Sequence, residues 1–140
     1  MTNIVLCGGC FDPFHYGHLA HLEAAKREGE LLYVAVTRDE YVNKGPGRPV
    51  FPEQERLAVV RAISCVHYAF LTSSAIEALK YIDPDVYVKG IEYEGKLPEE
   101  EYCKREGIKI VYTREKTYSS SQLLRYYDIL GLNSYKHVSG

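Results

Sequence analysis

The sequence predicts an α/β fold, namely a Rossmann-like, doubly wound five-stranded parallel sheet with helices on both faces. Five short apolar runs alternate along the chain with five segments that have helical spacing or helix-capping residues. The run 31–37 is continuously apolar, which is typical of a strand buried on both faces of a parallel sheet. Such alternation implies right-handed crossovers, with ligands at the carboxyl ends of the strands where strand order reverses.

In the first half of the chain, the spacing of apolar residues switches between that of strands and that of helices. Pro52 followed by acidic residues is typical of a first helical turn, which tolerates a missing N–H and favours negative charge. The predicted elements are a strand at 3–6, a helix at 19–26, a strand at 31–37, a helix beginning at Pro52 and a strand at 66–71.

In the second half, capping residues mark the helix ends. Ser74 and Glu77 have the spacing of a capping box, and Pro84 stops the helix that they begin. Gly107 and the basic residues before it are typical of a helix C-terminus. The remaining predicted elements are a strand at 85–89, a helix from Pro98 to Gly107, a strand at 108–112 and a last helix from the serines at 119–121 to Gly131.

Length and composition favour a single domain over residues 1–140, with a short polar tail at 131–140. The 140 residues are 46% hydrophobic, which is enough for one core and too few for two ordinary domains. A net charge of −2 lacks the basic field of nucleic-acid binders. The sequence shows neither a bilayer-spanning apolar run nor a signal peptide. We therefore expect a cytoplasmic protein with small-molecule partners, no nucleic acid or membrane, and reduced cysteines.

The segment 9–18 carries the clearest functional signal. It reads Gly-Cys-Phe-Asp-Pro-Phe-His-Tyr-Gly-His and joins the first predicted strand to the first helix. Gly8 and Gly9 can adopt backbone conformations that let phosphates approach the main chain. The helix that follows offers free N–H groups to an anion, and His15 and His18 can donate hydrogen bonds to charge developing at a phosphoryl centre. The pattern predicts phosphate chemistry on a nucleotide.

Two other interpretations use the same region. His15, His18 and His21 have a spacing that suits metal ligands, and Cys7 with Cys10 forms a CxxC pair of the zinc or redox type. A structural zinc site needs four ligands, however, and the chain has no second CxxC or CxxH pair. We therefore expect no metal ligands here, a Cys7 side chain that points into the core, and a solvated His21.

Three later segments follow strands at the same expected edge of the sheet. Residues 43–48 form a glycine-rich loop with two cations, Lys44 and Arg48, which suits either a lid over a triphosphate or a solvated turn. Residues 88–96 offer two glycines and Glu92 as the wall of a base pocket. Residues 113–121 offer hydroxyl and N–H groups at a helix start, which suit phosphates or simply cap the helix.

The segment 9–18 resembles the GxFDxxHxGH signature of the nucleotidyltransferase superfamily, whose members couple a nucleoside triphosphate to a phosphorylated small molecule and release pyrophosphate. The later segments resemble its cytidylyltransferase branch, notably glycerol-3-phosphate cytidylyltransferases and the nucleotidyltransferase domain of heptose-phosphate enzymes. The likeness covers about residues 4–125. Residues 114–121 are similar to the family's RTxGISTT, but Thr117 and Tyr118 replace Gly-Ile, so the turn there can differ.

The resemblance implies a role for each matched residue. The implied catalytic residues contact or hold the phosphates and are His15, His18, Lys44 and Arg114. The implied substrate-binding residues are Asp12, Asp39 and Arg56, and for Asp12 and Asp39 the resemblance leaves the role open between orienting neighbours and binding substrate or metal. The implied nucleotide-binding residues are Gly8, Gly9, Cys10, Phe11, Gly17, Lys89, Gly90, Glu92, Ser119 and Ser120.

The resemblance also implies a reaction, in which a phosphate or phosphonate oxygen of the acceptor attacks the α phosphorus in line and expels pyrophosphate. One Mg²⁺, bound chiefly by phosphates and water, is the expected cofactor. CTP is the favoured nucleotide, and ATP is the alternative, as in heptose-phosphate, flavin-forming or nicotinate mononucleotide relatives. A non-catalytic nucleotide sensor is an alternative of another class. Relatives are commonly homodimers, and the 13 tyrosines suit an interface.

Overall fold

The computed structural model describes residues 2–114 together with 122, 124 and 125. Within that part, five strands form one sheet in the order β3-β2-β1-β4-β5, and all neighbouring strands are parallel. The strands are β1 (Ile4–Gly9), β2 (Leu31–Thr37), β3 (Tyr68–Thr72), β4 (Val86–Gly90) and β5 (Lys109–Thr113). The helices connecting them are α1 (Tyr16–Lys26), α2 (Glu53–Arg61), α3 (Ala75–Ile82) and α4 (Glu100–Glu106), with short 3₁₀ helices at Asp39–Tyr41 and Ile91–Tyr93.

Helices cover both faces of the sheet. Successive strand residues point to opposite faces, so neighbouring residues of one strand belong to different cores. Val5 of β1 belongs to a core that α1 and α2 complete with Leu22 and Leu57. Leu6, the next residue, belongs to a second core on the other face, which α3 and α4 complete with residues such as Leu79. The predicted Rossmann-like, doubly wound five-stranded sheet is therefore confirmed.

Strand order reverses between β1 and β4. The chain moves outward from β1 through β2 to β3 and then crosses back, so that β4 lies on the other side of β1. The connections after β1 and after β4 leave the sheet in opposite directions, and such a reversal opens a crevice at the carboxyl ends of the strands. These two strands end at Gly9 and Gly90.

The element bounds differ from the predictions at both ends of most strands. β2 has the predicted bounds, whereas β1 starts one residue late and continues to Gly9, β3 starts two residues late and ends one late, and β4 and β5 each start and end one residue later than predicted. Polar or small residues occupy the carboxyl ends, and the apolar pattern therefore stops too early there. The predicted last helix lies outside the described residues, apart from positions 122, 124 and 125, which are helical.

The Ser74 half of the predicted capping box is present at α3, whereas the Glu77 carboxylate accepts from the backbone N–H of Ser73 instead of Ser74. The predicted glycine cap is present at α4. The Ser74 side chain accepts a hydrogen bond from the backbone N–H of Glu77 at 3.1 Å. Gly107 follows α4 with φ +73, the left-handed conformation that glycine adopts at little cost.

Among the described residues, the structure has no helix of the length and apolar character that a membrane crossing requires.

Candidate active site

Two histidines cap the first helix reciprocally. His15 is the N-cap residue of α1, and its Nδ1 accepts a hydrogen bond from the backbone N–H of Gly17 at 3.0 Å. In return, Nδ1 of His18 accepts one from the backbone N–H of His15 at 3.2 Å. This is a capping box in which imidazoles replace the usual hydroxyl and carboxylate. It explains why α1 begins at Tyr16, three residues earlier than the apolar spacing predicted.

The capping bonds determine which ring nitrogen carries the hydrogen. A nitrogen that accepts an N–H has no hydrogen of its own, so each neutral imidazole is protonated at Nε2. His15 and His18 therefore both carry their hydrogen at Nε2, with their ring centroids 3.9 Å apart, and Nε2 of His15 is buried whereas His18 lines the cavity described below. The His18 ring packs against Phe11 and Phe14 at centroid distances of 5.1 and 5.4 Å, which holds it in place. Two fixed donors at a helix N-terminus suit an anion.

The bend after β1 differs from the predicted glycine turn. Gly8 and Gly9 belong to β1 and have no positive φ, whereas Phe11 takes the left-handed conformation with φ +53. A Cβ at Gly8 would lie 3.1 Å from the carbonyl oxygen of Ala35 on β2. A Cβ at Gly9 would lie 3.3 Å from the Phe11 ring. The glycines thus allow close packing under the motif, and Phe11 makes the turn.

Asp12 is held entirely by protein groups. Its buried carboxylate accepts hydrogen bonds from Arg48 Nε at 3.0 Å and from the backbone N–H groups of Val50 and Phe51 at 2.7 and 2.9 Å. Arg48 Nη2 also donates to the Asp12 carbonyl at 2.6 Å. Asp12 thus anchors the segment 48–51, and Arg48 is part of that anchor instead of a lid cation. Substrate binding by Asp12 stays a prediction.

Arg56 is also used within the protein. Only 2% exposed, it donates to the carbonyl oxygens of Phe51, Cys10 and Thr37, each at 2.8 Å. Its Nη2 donates to the Asp39 carboxylate at 2.7 Å. Arg56 therefore ties the segment that follows β1 to the end of β2 and forms an ion pair with Asp39, whose side chain is 41% exposed. In the sequence, the only local sign of this buried role is that Arg56 lies next to the apolar residues of α2. Substrate binding by Arg56 and Asp39 stays a prediction.

A cavity of about 360 Å³ opens at the reversal point beside His18, within the usual size range of small-ligand pockets. It collects ten residues that the sequence singled out, namely Gly8, Gly9, Cys10, Phe11, Asp12, His18, Lys44, Lys89, Gly90 and Glu92. Tyr93 of the predicted segment 88–96 also lines it, whereas sequence reasoning did not place His21 or several hydroxyl-bearing residues at or after the ends of β2 and β3 in the site: Thr37, Tyr41, Thr72, Ser73 and Ser74. For the hydroxyl-bearing residues, the position at the carboxyl end of a strand was the signal that could have found them.

One wall of the cavity consists of residues 89–93. Lys89 Nζ lies 4.3 Å from the centroid of the Tyr93 ring, a cation–π contact that holds the ammonium group. Gly90 leaves room for the Glu92 carboxylate, which a Cβ at position 90 would overlap. Burial, and then the charge of Glu92, raise the pKa of Tyr93, so its hydroxyl keeps its proton. The wall thus combines a cation, a carboxylate and a phenol.

Several predicted site residues lie apart from this cavity. Gly17 is buried in α1 and contributes its N–H to His15. Arg114 is exposed directly after β5, and neither it nor His15 is part of the cavity lining within the described residues. The predicted phosphate-binding residues Ser119 and Ser120 lie outside the described residues.

The cysteines do not form the redox or zinc pair of the alternative interpretation. Cys7 and Cys10 are both free, and Cys7 is buried in the core under α1. Burial raises the pKa of the Cys7 thiol to about 12, so it stays protonated at neutral pH. In the part of the chain that the structure describes, no three metal-ligating side chains converge as a metal site would require.

Comparisons with known proteins identify sequence relatives. The chain is 45% identical over 94 residues, 64% of its length, to the bifunctional protein HldE of Alcanivorax borkumensis. It is 43% identical over 109 residues, 74% of its length, to the bifunctional protein HldE of Streptomyces coelicolor. The matches cover 20% and 24% of these two proteins, so the chain spans about a quarter or less of their length.

A structural relative and a family model agree with the sequence relatives. The fold is similar to that of a lipopolysaccharide core biosynthesis protein from Thermoplasma volcanium, with a TM-score of 0.71, 28% identity, and coverage of 85% of this chain and 100% of that one. The family model described as cytidylyltransferase-like matches residues 6–126, from the first strand through the histidine motif to the end of the described residues. The chain therefore belongs to the cytidylyltransferase-like family of nucleotidyltransferases.

Proposed function

We propose that this protein transfers the nucleoside monophosphate of a nucleoside triphosphate to a phosphate or phosphonate oxygen of a small acceptor and releases pyrophosphate. The observation that carries the proposal is the reciprocal capping of His15 and His18. It fixes the Nε2–H donor of His18 at a cavity of about 360 Å³ at the strand-order reversal and holds the His15 ring directly beside His18. Membership in the cytidylyltransferase-like family supports the same reaction class.

The reaction needs positioning more than acid or base chemistry. A phosphate monoester has a second pKa of about 6, so the acceptor oxygen is already largely ionised at neutral pH. That oxygen forms a bond to the α phosphorus while the bond from the α phosphorus to the bridging oxygen breaks, and pyrophosphate leaves with the electron pair. His15 and His18 donate hydrogen bonds to the α-phosphate oxygens and stabilise their charge. Arg114, Ser119 and Ser120 are proposed for the outer phosphates.

Lys44 is the proposed lid residue. It is exposed and lines the cavity, and it precedes Gly45 and Gly47, which have φ +96 and +77 with open space around them. The far end of this loop is anchored by the bond between Arg48 and Asp12. A loop anchored at one end and bordered by open space at its glycines can bring one cation over a triphosphate.

Magnesium is the proposed cofactor. Within the described residues no three potential ligands converge, and the Asp12 carboxylate is already bonded to three protein donors. These residues fit a magnesium ion held chiefly by phosphate oxygens and water. When bound, the ion offsets the negative charge of the triphosphate.

CTP is the nucleotide that we propose first, with ATP as the second candidate. The cytidylyltransferase-like match supports CTP, and the likeness to heptose-phosphate enzymes supports ATP equally. The Glu92 carboxylate can accept a hydrogen bond from an exocyclic amino group, which both cytosine and adenine carry. The structural relative in lipopolysaccharide core biosynthesis supports a phosphorylated sugar as the acceptor.

A pyrophosphate-release assay tests the reaction and the nucleotide together. The enzyme is incubated with magnesium, with CTP or ATP, and with a panel of phosphorylated sugars and polyols. We expect release that requires both the nucleotide and one acceptor. Binding of a nucleotide by calorimetry without release for any acceptor would favour the non-catalytic sensor instead.

His18→Asn tests the histidine mechanism in isolation. The asparagine oxygen can replace Nδ1 as the capping acceptor, but the shorter side chain places no donor at the position of Nε2. We expect turnover to fall about a hundredfold or more, the usual cost of removing one preorganised donor. His67→Ala is the matched control, since Nδ1 of His67 accepts the backbone N–H of Leu32 at 3.1 Å near the start of β2, away from the cavity. Equal turnover in His18→Asn and wild type would refute the assignment.

A further inference from the structure

A buried hydrogen bond joins α1 to the end of β5. His21 Nδ1 and Thr113 Oγ1 lie 2.7 Å apart, although the two residues are 92 positions apart in the chain. Each residue is 8% exposed. The expectation that His21 is a solvated side chain is therefore wrong, because it belongs to the buried face of α1.

The contact lies where three parts of the proposed site meet. His21 lines the cavity together with His18, which precedes it by three residues on the same helix. Thr113 pairs in register with Gly90, the last residue of β4. The residue after Thr113 is Arg114, which we propose for the phosphates. One side-chain contact thus connects the helix that carries the histidines to the strand that leads to Arg114.

A polar pair is a costly way to pack this helix. Imidazole and hydroxyl groups lose their hydration on burial. Only a well-formed hydrogen bond offsets the free energy that this costs. An apolar pair of similar shape would pack here at nearly equal or better stability. What the hydrogen bond adds is a fixed distance and direction between His21 and Thr113, which apolar contact does not provide.

We propose that His21 is a positioning residue for nucleotidyl transfer, acting through Thr113 to set Arg114 relative to His15 and His18. The inference rests on the proposed function, because it assigns the two groups to different phosphates of one nucleotide. A triphosphate can contact both groups only when their separation is correct, so an error in that separation weakens nucleotide binding in the ground state and the transition state alike. The nucleotide, rather than the acceptor, senses this separation.

A double-mutant cycle tests the coupling. His21→Leu and Thr113→Val each remove one partner and keep an apolar side chain of similar size. We expect each single variant to raise the KM for the nucleotide about tenfold, with kcat and the acceptor KM changed less than about threefold. The double variant should show no further increase, because both changes remove the same hydrogen bond.

Two further variants separate positioning from a general loss of stability. Thr113→Ser restores the hydroxyl and should keep the nucleotide KM within about twofold of wild type. His67→Leu removes a different histidine hydrogen bond, the one to Leu32, and should leave the nucleotide KM unchanged even where the melting temperature falls. All variants are compared by thermal unfolding.

Specific results would overturn the inference. A lower melting temperature in His21→Leu and Thr113→Val with an unchanged nucleotide KM would make the pair purely structural. Additive effects in the double variant, or a Thr113→Ser variant as weak as Thr113→Val, would also overturn it. If the wild type releases no pyrophosphate, the proposed function fails. The coupling of His21 and Thr113 is then tested with the same variants by measuring the Kd for CTP and ATP by calorimetry.

Discussion

Replacing Asp12 by asparagine probes the anchor beneath the histidine motif. Oδ2 of the buried carboxylate accepts from Arg48 Nε at 3.0 Å and from the Val50 N–H at 2.7 Å, and Oδ1 accepts from the Phe51 N–H at 2.9 Å. Asparagine has one oxygen and one NH₂ group at these places. In either orientation, at least one backbone N–H faces another donor, and the Arg48 guanidinium loses its charged partner.

The expected size follows from these contacts. Breaking a buried ion pair by removing one partner costs about 3–5 kcal/mol. A hydrogen bond to a charged group contributes about 1.5–3 kcal/mol, so the lost N–H contact is consistent with that range. We therefore expect Asp12→Asn to lower the free energy of unfolding by about 3–5 kcal/mol and the melting temperature by about 10 °C or more.

Urea unfolding followed by circular dichroism measures this change, with an exposed ion pair as control. Glu100→Gln removes the pair between Glu100 and Lys104, whose side chains are 36% and 69% exposed, and should cost about 0.5 kcal/mol or less. Steady-state kinetics at a temperature where both proteins are folded gives the acceptor KM. Asp12→Asn with wild-type stability and a raised acceptor KM would show that Asp12 binds substrate and would refute the reasoning.

Three further predictions concern the lid, the buried thiol and a buried carboxylate. Lys44→Met should lower kcat/KM for the nucleotide about tenfold or more. The melting temperature should not change, because Lys44 is exposed. An unchanged kcat/KM would argue against Lys44 as a lid residue. Iodoacetamide at pH 8 should label Cys10 in the native protein and spare Cys7, because burial raises the pKa of the Cys7 thiol to about 12. Peptide mass spectrometry measures the labelling, and equal labelling of the two cysteines would contradict the prediction. Tyr87→Phe removes the hydroxyl that donates to the buried Glu99 carboxylate at 2.5 Å and should cost about 2 kcal/mol in urea unfolding, whereas Glu99→Gln, which keeps an acceptor, should cost less.

The predictable features of this protein depend on residues close together in the chain. The run 31–37 is a strand with the predicted bounds because its continuous apolar character belongs to a strand buried on both faces. The Ser74 cap spans three residues, and the pair His15 and His18 belongs to one helical turn. Thr37 and Thr72, the last residues of β2 and β3, were not predicted to line the cavity, because their place in the site depends on strand order.

By itself the sequence determined the α/β fold class, the helix caps and the histidine motif, since periodicity and capping act over a few residues. Only the tertiary structure decided which charged or polar groups remain available to a ligand. It pairs Asp12 with Arg48, surrounds Arg56 with carbonyl groups and joins His21 to Thr113. Hydrogen bonds need contacts of about 3 Å, and the distance between groups far apart in the chain is set by how the strands and helices pack.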